Sequence, residues 1–422
     1  MAILLGSFLI FLMIGMPISF CMFTSSAFYL LVNDITLMSL VQRVSAGVFS
    51  FPLMAAPCFI MAGSIMNTGG ITDRIFNWCN KIIGHIPGGL GHSNVLASIV
   101  FAGMSGTAVA DAGGLGAVEL KAMKDAGFDD DFSLAITAAS STIGPIIPPS
   151  LPAVMVGVIG GVSVGRIYIG GILPGLLMGV CLSAMVYYLA VKRNYPRMPR
   201  STFGEVVRAT KSAFFSLFTV VLAIGGIMTG IITPTEAGVI ALVYATLLGF
   251  IYREINLRSL YNIVRDSLGT IVSVLFIIAS GSIFGWILAI EQVPQMTTTW
   301  FMSSIDNRYM ALLVINLLLL ICGCFLDSMA SISLLTPILM PVAISYGIDP
   351  VHFSIVMILN LMIGLITPPV GVVLYILSSL SGVSFDRIVK AVLPFLVALL
   401  IALALVTYIP PIVTWLPNLV YN

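Results

Sequence analysis

Charged residues are scarce in this chain. Of 422 residues only 8% are Asp, Glu, Lys or Arg, while 59% are hydrophobic; soluble domains average roughly 25% charged residues. The 18 basic and 17 acidic residues leave a net charge of +1, so no basic surface suited to nucleic acid is expected. The composition excludes an ordinary water-soluble protein and predicts a membrane protein whose surface mostly contacts lipid.

The motifs of common enzyme classes are also missing. The six cysteines include no C-x-x-C pair, which argues against a disulfide framework or a zinc site. There is no H-E-x-x-H, no G-x-S-x-G and no P-loop, and neither Asp111 nor Asp327 lies in the Gly-x-Gly-Asp context of intramembrane aspartyl proteases. We therefore expect no enzymatic activity.

The N-terminal segment lacks the positively charged start and cleavage site of a secretory signal. We expect residues 1–33 to be retained as membrane segment, either as one crossing kinked at Pro17 or as two short helices.

Long stretches without any charged residue fill the chain. A crossing helix needs about 20 apolar residues, and the charge-free stretches are 1–33, 44–72, 82–110, 132–165, 167–191, 212–235, 237–252, 267–290, 309–326, 328–348, 350–385 and 391–422. The longest exceed one crossing and contain Gly or Pro, which predicts broken or re-entrant helices. The fold class predicted is therefore an all-α polytopic membrane protein.

Basic residues predict the orientation, since they concentrate in cytoplasmic loops. The densest cluster consists of Lys192, Arg193, Arg197, Arg200, Arg208 and Lys211, and the next of Arg253, Arg258 and Arg265. Two segments, 71–86 and 253–266, are amphipathic, and we expect each to lie along the membrane interface or to connect helices with a solvated face.

An internal repeat occurs at an offset of about 220 residues. The run Gly144–Pro149 (GPIIPP) matches Gly364–Pro369 (GLITPP), and the segments near 161–167 and 382–388 also agree. If 192–211 is cytoplasmic, the loop near Arg166 is external and its counterpart near Arg387 is cytoplasmic. The two halves then have opposite orientations, which is typical of secondary transporters.

Each half contains two predicted helix breaks. The segments 103–108 and 323–328 interrupt apolar stretches and predict the tips of re-entrant hairpins. The pairs Pro148-Pro149 and Pro368-Pro369 remove backbone donors, so a crossing helix must unwind there. The alternative is a proline kink that only shapes packing, but two matching pairs of breaks favour a binding site.

Unwound backbone inside a bilayer needs protein, water or a ligand as a partner. The carbonyls of Gly144, Ile147, Gly364 and Thr367 suit a small hard cation, and the half-helix N-termini near Ser150 and Val370 suit a substrate carboxylate. Nearby hydroxyls could add ligands or simply bond back to their own helices; they belong to Ser105, Thr107, Ser141, Thr142, Ser328 and Thr367.

Asp327 is the clearest single residue, because a lone carboxylate in an uncharged stretch is costly and usually functional. Asp111 is followed by Glu119 and Lys121, so a structural role or a place in a cytoplasmic cavity is an equally good interpretation. We expect Asp327 to matter more than Asp111 for cation dependence.

The tip Ser105-Gly106-Thr107-Ala108, the run Gly144–Ser150 (GPIIPPS) and their second-half counterparts resemble the large membrane subunit of tripartite ATP-independent periplasmic (TRAP) transporters. The resemblance covers essentially the whole chain. It implies sodium-driven uptake of an organic acid in the bacterial inner membrane, by an elevator movement of a transport domain against a scaffold. It also implies two partners, a periplasmic substrate-binding protein and a small four-helix membrane subunit, which we expect to be a separate chain.

Carried over to this sequence, the family's first sodium site falls on Ser105, Thr107, Gly144, Ile147 and Pro149. The second falls on Phe325, Asp327, Gly364, Thr367 and Pro369. For the substrate, the resemblance and the half-helix argument point to Ser141, Thr142, Ser150, Ser328 and Val370. The domain organisation implied is scaffold 1–87, transport half 88–168, scaffold 169–307, transport half 308–385 and scaffold 386–422.

Family members carry sialic acids, dicarboxylates and keto acids, and among these we favour sialic acid slightly. The main alternative is a stand-alone sodium/carboxylate symporter or ion antiporter of related fold, which would need no binding protein. An uncoupled channel is a further alternative and would conduct without saturating.

Overall fold

The computed structural model describes residues 2–421, apart from the side chain of Ser105, and this range contains no β-strand. The first helices, in chain order, are α1 (Ala2–Met13), α2 (Ile18–Val32), α3 (Met38–Val48), α4 (Ala55–Thr68), α5 (Ile71–Ile83), α6 (Gly89–Ser105), α7 (Ala108–Ala110), α8 (Gly116–Asp125), α9 (Asp130–Ser141), α10 (Leu151–Gly160) and α11 (Val164–Arg193). They are followed by α12 (Phe203–Met228), α13 (Pro234–Ile251), α14 (Leu257–Ile290), α15 (Val293–Ser304), α16 (Arg308–Phe325), α17 (Ser328–Ser345), α18 (Pro350–Gly364), α19 (Val372–Ser381), α20 (Phe385–Tyr408) and α21 (Pro411–Tyr421). A 3-10 turn (Phe51–Met54) precedes α4, and a π-helical turn (Asp111–Leu115) joins α7 to α8.

Eight helical segments between residues 2 and 421 are long and apolar enough to cross a membrane: Phe51–Thr68, Val164–Arg193, Phe203–Met228, Pro234–Ile251, Leu257–Ile290, Arg308–Phe325, Ser328–Ser345 and Phe385–Tyr408. Many apolar side chains on them are exposed, such as Val221 (62%) and Val272 (61%), as expected for surfaces that contact lipid. The prediction of an all-helical, multi-pass membrane protein is confirmed.

The N-terminal segment forms two short helices. The chain turns at Gly15 (φ +87°), and α2 begins after Pro17. Helices α1 and α2 pack on each other, and α2 also packs on α14, where Phe20 contacts Phe276 with ring centroids 4.7 Å apart. Of the two alternatives for 1–33, the described residues therefore favour two helices; Met1 lies outside them.

The two amphipathic segments differ in structure. Helix α5 buries Ile75 and Cys79 and lies alongside α6 and α12, where Trp78 Nε1 donates to Thr210 Oγ1 at 3.1 Å. The segment 253–266 forms no separate helix, because α14 is capped at Asn256 and continues unbroken for 34 residues. At about 1.5 Å per residue α14 is much longer than a bilayer core is thick, so its first turns extend beyond the apolar layer.

The four predicted breaks all occur. Residues Gly106 and Thr107 separate α6 from α7, and Leu326 and Asp327 separate α16 from α17. Nine residues, 142–150, separate α9 from α10, and seven, 365–371, separate α18 from α19. Both Pro-Pro peptide bonds in these breaks are cis.

The helices form two groups. The hairpins α6–α8 and α16–α17 pack on the broken helices α9–α10 and α18–α19, and α11 and α20 pack on the same elements. The second group consists of α2–α4 and α12–α14, with α5 lying between the two groups. The domain boundaries expected at 168 and 385 fall inside α11 and at the start of α20, since these helices begin at Val164 and Phe385.

The contact between α14 and hairpin α16–α17 depends on a glycine. A Cβ added at Gly281 of α14 would lie 2.8 Å from Ser333 Cβ and 1.5 Å from its Oγ, closer than packed atoms allow. Further along the same helix pair, Gly285 lies against Pro337. The backbone of α14 therefore approaches α17 closely because its side chains are absent at these positions.

Gly281→Ala should lower stability by about 1–3 kcal/mol, the usual cost of overpacking. The measurement is the thermal unfolding midpoint of the purified protein in detergent. Gly269→Ala, in the same helix but with no atom within 4 Å of the added Cβ, is the matched control and should not lower the midpoint. Adding Ser333→Gly to Gly281→Ala should restore most of the loss, and a failure to do so would contradict this contact.

Candidate functional site

Each hairpin tip is hydrogen-bonded to the break of a broken helix. Leu151 N donates to Gly106 O at 3.4 Å, and Val370 N donates to Cys324 O at 3.2 Å. We call the contact of residues 105–107 with 142–150 the first junction, and that of residues 325–327 with 365–371 the second junction. The structure thus brings together the two members of each predicted pair of breaks.

The first junction is closely packed. Gly106 has a φ of +63°, and a Cβ there would lie 2.7 Å from Pro149 O, so glycine is required both for the turn and for the approach of the break. All residues of the break, including Ile147 and Pro149, are buried. The hydroxyl of Ser150 is already used, since it donates to Pro145 O and accepts from Ala153 N.

Several backbone oxygens in the first break have no partner. The carbonyl oxygens of Gly144, Ile147 and Pro149 accept no hydrogen bond from any described residue, although these residues are buried. Buried carbonyls are almost always paired, and a cluster of free ones is a ligand set that suits a small hard cation. These are three of the five residues predicted for the first sodium site.

The remaining members of the first predicted site are less defined. Thr107 is half-buried, and its Oγ1 caps α7 by accepting from Ala110 N at 3.2 Å. The side chain of Ser105 lies outside the described part of the chain. Ser141 and Thr142 donate to the carbonyls of Ala138 and Ala139, at 2.8 and 2.6 Å. Their hydroxyls therefore bond back to their own helix, α9. This is one of the two roles considered for them from the sequence, the other being a cation or substrate ligand.

Asp111 lies at the first junction. It is 2% exposed; the Ser98 hydroxyl lies near its carboxylate, but neither carboxylate oxygen has a well-formed hydrogen bond with a described residue. Its Oδ2 lies 3.7 Å from the position of a Cβ on Gly144, and the carbonyl oxygen of Thr107 lies at the same distance from that position. The carboxylate and the two backbone segments therefore converge, and no cytoplasmic cavity exposes Asp111.

Sequence reasoning gave Asp111 less weight than Asp327 because Glu119 and Lys121 follow Asp111 closely. The π-helical turn Asp111–Leu115 directs Asp111 towards the break, and Lys121 lies on the exposed side of α8. The sequence did contain one indication. Asp111 follows the hairpin tip by about one helical turn, so its side chain could reach the contact between the tip and the break.

A buried polar network joins each hairpin to its broken helix. Asn94 Nδ2 donates to Glu119 Oε2 at 2.7 Å and to Thr137 Oγ1 at 2.8 Å, and Ser140 Oγ donates to Asn94 Oδ1 at 2.6 Å. In the second half, Asn360 Nδ2 donates to Asn316 Oδ1 at 2.7 Å. Sequence analysis missed both networks, although Asn94 and Asn316 are polar residues at the repeat offset inside apolar helices.

The second junction is more open than the first. Phe325 is 61% exposed and Val370 is 37% exposed, whereas Gly364 and Gly323 pack backbone to backbone. Asp327 caps α17, with Oδ2 accepting from Met329 N at 2.9 Å. The two junctions therefore differ in how far their residues are exposed at the surface, although the backbone hydrogen bonds between tip and broken helix correspond.

The ligand groups at the second junction are partly engaged. Thr367 Oγ1 donates to Ile363 O at 2.7 Å, and Gly364 O accepts from Thr367 N at 3.0 Å. The carbonyl oxygens of Thr367 and Pro369 accept no hydrogen bond from the described residues. Ser328 is buried at the start of α17. At the N-terminus of α19, the amides of Gly371 and Val372 donate no hydrogen bond within the described range.

Comparison with known proteins identifies a matching family and several similar proteins. Residues 5–412 match the family described as "Tripartite ATP-independent periplasmic transporter, DctM component". The sialic acid TRAP transporter large permease protein SiaM of Vibrio cholerae is 44% identical over 96% of this chain and 95% of its own length. The sialic acid TRAP transporter permease protein SiaT of Haemophilus influenzae is 40% identical over 97% of this chain and 67% of its own length. The C4-dicarboxylate TRAP transporter large permease protein DctM of Pseudomonas aeruginosa is 37% identical over 87% and 86%.

Two solved structures share the fold. The YdaH transporter of Alcanivorax borkumensis matches with a TM-score of 0.64 at 14% identity, covering 87% of this chain and 86% of that one. MtrF of Neisseria gonorrhoeae, described with a class of antimetabolite efflux pumps, matches with a TM-score of 0.63 at 13% identity, covering 90% and 85%. At these identities the likeness concerns the fold alone, which is one that transporters use.

Gly106→Ala should disrupt the first junction, because the added Cβ meets Pro149 O at 2.7 Å in addition to the strain of a positive φ. We expect a loss of thermal stability of about 2 kcal/mol or more. Gly127→Ala is the control, since Gly127 has a φ of +83° but no atom within 4 Å of the added Cβ. It carries the backbone strain alone, so equal losses in the two variants would contradict a special role for the contact with Pro149.

Proposed function

The chain belongs to the DctM family of tripartite ATP-independent periplasmic transporters, and we propose that it uses a sodium gradient to move an organic acid into the cell. It is a multi-pass permease of the bacterial inner membrane and not an enzyme. The observation that carries the proposal is the pair of junctions, where hairpin tips meet broken helices and leave backbone carbonyls without partners. Free carbonyls of this kind suit a small cation, and a transported cation can couple a gradient to substrate movement.

For the first sodium ion, the proposed ligands are the free carbonyls of Gly144, Ile147 and Pro149 with the tip residues Ser105 and Thr107. Asp111 supplies a negative charge beside this group, since its buried carboxylate has no other cation among the described residues. An isolated ionised carboxylate would be very costly at this depth, and a bound sodium ion offsets that cost.

For the second sodium ion, the proposed ligands are Phe325, Asp327, Gly364, Thr367 and Pro369. Asp327 and the free carbonyls of Thr367 and Pro369 provide oxygen atoms of the kind that hard cations prefer. The exposure of Phe325 and Val370 supports a route by which an ion would enter or leave the proposed site.

The substrate carboxylate is proposed to bind at the N-terminus of α19. The free amides of Gly371 and Val372 carry the partial positive charge of a ten-residue helix, and the neighbouring Val370 is exposed. Ser328 lies close in sequence to the second tip. The first-half candidates Ser141, Thr142 and Ser150 are buried with their hydroxyls engaged, so we propose that they contribute only after the first junction opens.

Transport is proposed to follow an elevator movement between inverted repeats. The moving body comprises the two hairpins and the two broken helices, and we add α11 and α20, where the sequence predicted scaffold, because both pack on the broken helices. The scaffold then consists of α1–α5 and α12–α14. The polar networks around Asn94 and Asn316 hold each hairpin to its broken helix, so these parts would move as a unit.

The substrate and partners are proposed from the relatives. Since two of the similar proteins are sialic acid permeases and one is a C4-dicarboxylate permease, we propose a carboxylate substrate and favour sialic acid. A small four-helix membrane subunit and a periplasmic binding protein are proposed to complete the transporter. The alternative of a self-sufficient symporter makes no use of either partner.

Uptake of radiolabelled sialic acid and of a C4-dicarboxylate into proteoliposomes tests the proposal. With an inward sodium gradient, we expect uptake when this chain, the small membrane subunit and the binding protein are all present, and none when any is left out. Uptake by this chain alone would support the self-sufficient symporter instead. Flux that does not saturate and ignores the sodium gradient would overturn sodium coupling altogether.

A sodium titration of uptake separates the two carboxylates. Asp111→Asn should raise the sodium concentration for half-maximal uptake by about tenfold or more, because a charged partner of a buried ion contributes roughly 1.5–3 kcal/mol. Asp327→Asn keeps the cap of α17, since Asn is also a good capping residue, and should have a smaller effect. This ranking reverses the one expected from the sequence.

Glu119→Gln is the matched control for the titration. Glu119 is as buried as Asp111, but Asn94 hydrogen-bonds to its carboxylate and the residue belongs to the polar network. Because the charges of Glu119 and Asp111 interact, a small change in sodium dependence is expected, but one well below that of Asp111→Asn. If Asp111→Asn leaves sodium dependence unchanged, Asp111 is not part of the first sodium site.

A further inference from the structure

A basic cavity lies at one end of the proposed moving body. It has a volume of about 240 Å³ and is enclosed by the first turn of α9, the last turn of α11 and the first turns of α20. Three cations line it, Arg193, Arg387 and Lys390. We call these three residues and the cavity between them the basic notch.

The charges of the basic notch are only partly neutralised. Arg387 Nε lies 2.5 Å from Asp131 Oδ1, and one nitrogen of Arg193 lies 3.6 Å from Asp129 Oδ2. The ammonium of Lys390 forms no hydrogen bond or ion pair with any described residue. Three cations therefore face the cavity together with a single lining carboxylate, that of Asp131.

Asp129 is occupied elsewhere. It accepts a hydrogen bond from the hydroxyl of Tyr195, which in turn accepts from Arg193 at 3.1 Å. Burial, and then the hydrogen bond to Asp129, raise the pKa of Tyr195 to about 12. The hydroxyl thus stays protonated and keeps donating to Asp129 at neutral pH, so this carboxylate is held at the edge of the notch.

The floor of the basic notch is apolar. It is formed by Phe132, Leu189 and Phe395, each buried. The helices that lead away from it continue with exposed apolar side chains, such as Val191 (52%) on α11 and Leu393 (52%) on α20. A cluster of cations above an apolar, lipid-facing surface has the chemistry of a phospholipid: an anionic headgroup with acyl chains beside it.

We propose that the basic notch binds the phosphate of an anionic phospholipid from the cytoplasmic leaflet. The assignment to that leaflet rests on the proposed function and on the orientation predicted from the basic residues, in which the end of α11 is cytoplasmic. The Arg387 nitrogens turned away from Asp131 and the Lys390 ammonium are the donors available to the phosphate. Both donors lie on α20, whereas the apolar floor comes from α9, α11 and α20, so the bound lipid would contact all three helices.

A second cavity differs from the basic notch in the charge of its lining. It has a similar volume, about 250 Å³, and lies at the N-terminal ends of α16 and α18. Its lining contains one arginine, Arg308, and one carboxylate, Asp349, so it has no excess of cations. Of these two cavities, the basic notch is the one with an excess of cations, which an anionic headgroup requires.

The test uses the purified full-length chain in neutral detergent, titrated with phosphatidylglycerol or with phosphatidylcholine. Phosphatidylglycerol should raise the thermal unfolding midpoint in a saturable way, and phosphatidylcholine should not. Lys390→Gln should weaken the apparent affinity for phosphatidylglycerol about fivefold, since a basic residue near an anionic lipid contributes roughly 1 kcal/mol. Lys390→Glu should weaken it further.

Lys211→Gln is the matched control. Lys211 is an exposed lysine of the predicted cytoplasmic cluster that includes Arg193, but it lies on α12 and does not line the basic notch. It should bind phosphatidylglycerol like the wild type. Equal affinity in Lys390→Gln and Lys211→Gln would overturn the proposal. An equal rise of the midpoint with millimolar inorganic phosphate would assign the notch to a soluble anion instead. Since the readout is binding, a failure of the transport assays leaves this result intact.

Discussion

A backbone amide or carbonyl without a partner costs several kcal/mol in hydrocarbon, and a helix that breaks inside a membrane creates a row of them. This chain interrupts four apolar helical stretches, at residues 106–107, 142–150, 326–327 and 365–371. The cost is reduced where each hairpin tip meets a broken helix, through the bonds from Leu151 to Gly106 and from Val370 to Cys324. The carbonyls that these contacts leave free are the candidate cation ligands, so the same backbone chemistry produces both the fold and the site.

The two junctions are alike in backbone contacts and unlike in surroundings. The first is buried and has the unpartnered carboxylate of Asp111 beside it, whereas the second has an exposed tip at Phe325 and a carboxylate, Asp327, that already caps a helix. One carboxylate lacks a well-formed hydrogen bond within the described range, and the other has an amide partner. If both proposed sites bind sodium, this difference in burial and in partners gives a physical reason for unequal affinities.

Buried amides hold each hairpin of the proposed moving body to its broken helix. Asn94 accepts from Ser140 and Asn360 donates to Asn316, and such directional hydrogen bonds resist relative movement. Glycines make close approaches both inside the body, where Gly364 meets Gly323, and at its boundary, where Gly281 faces Ser333. The hydrogen bonds, and not the glycine contacts, are therefore what distinguishes the interior of the body.

The sequence by itself determined the helical class and the positions of the four breaks, because scarce charge, long apolar stretches and paired prolines act through local backbone chemistry and the length of a bilayer crossing. It could not determine that α14 runs unbroken from Leu257, since an amphipathic start is compatible with a separate helix. Only the tertiary structure decided that Asp111 faces Gly144 and that Arg193, Arg387 and Lys390 share one cavity. These features depend on packing between residues far apart in the chain, and neither composition nor periodicity records which distant residues meet.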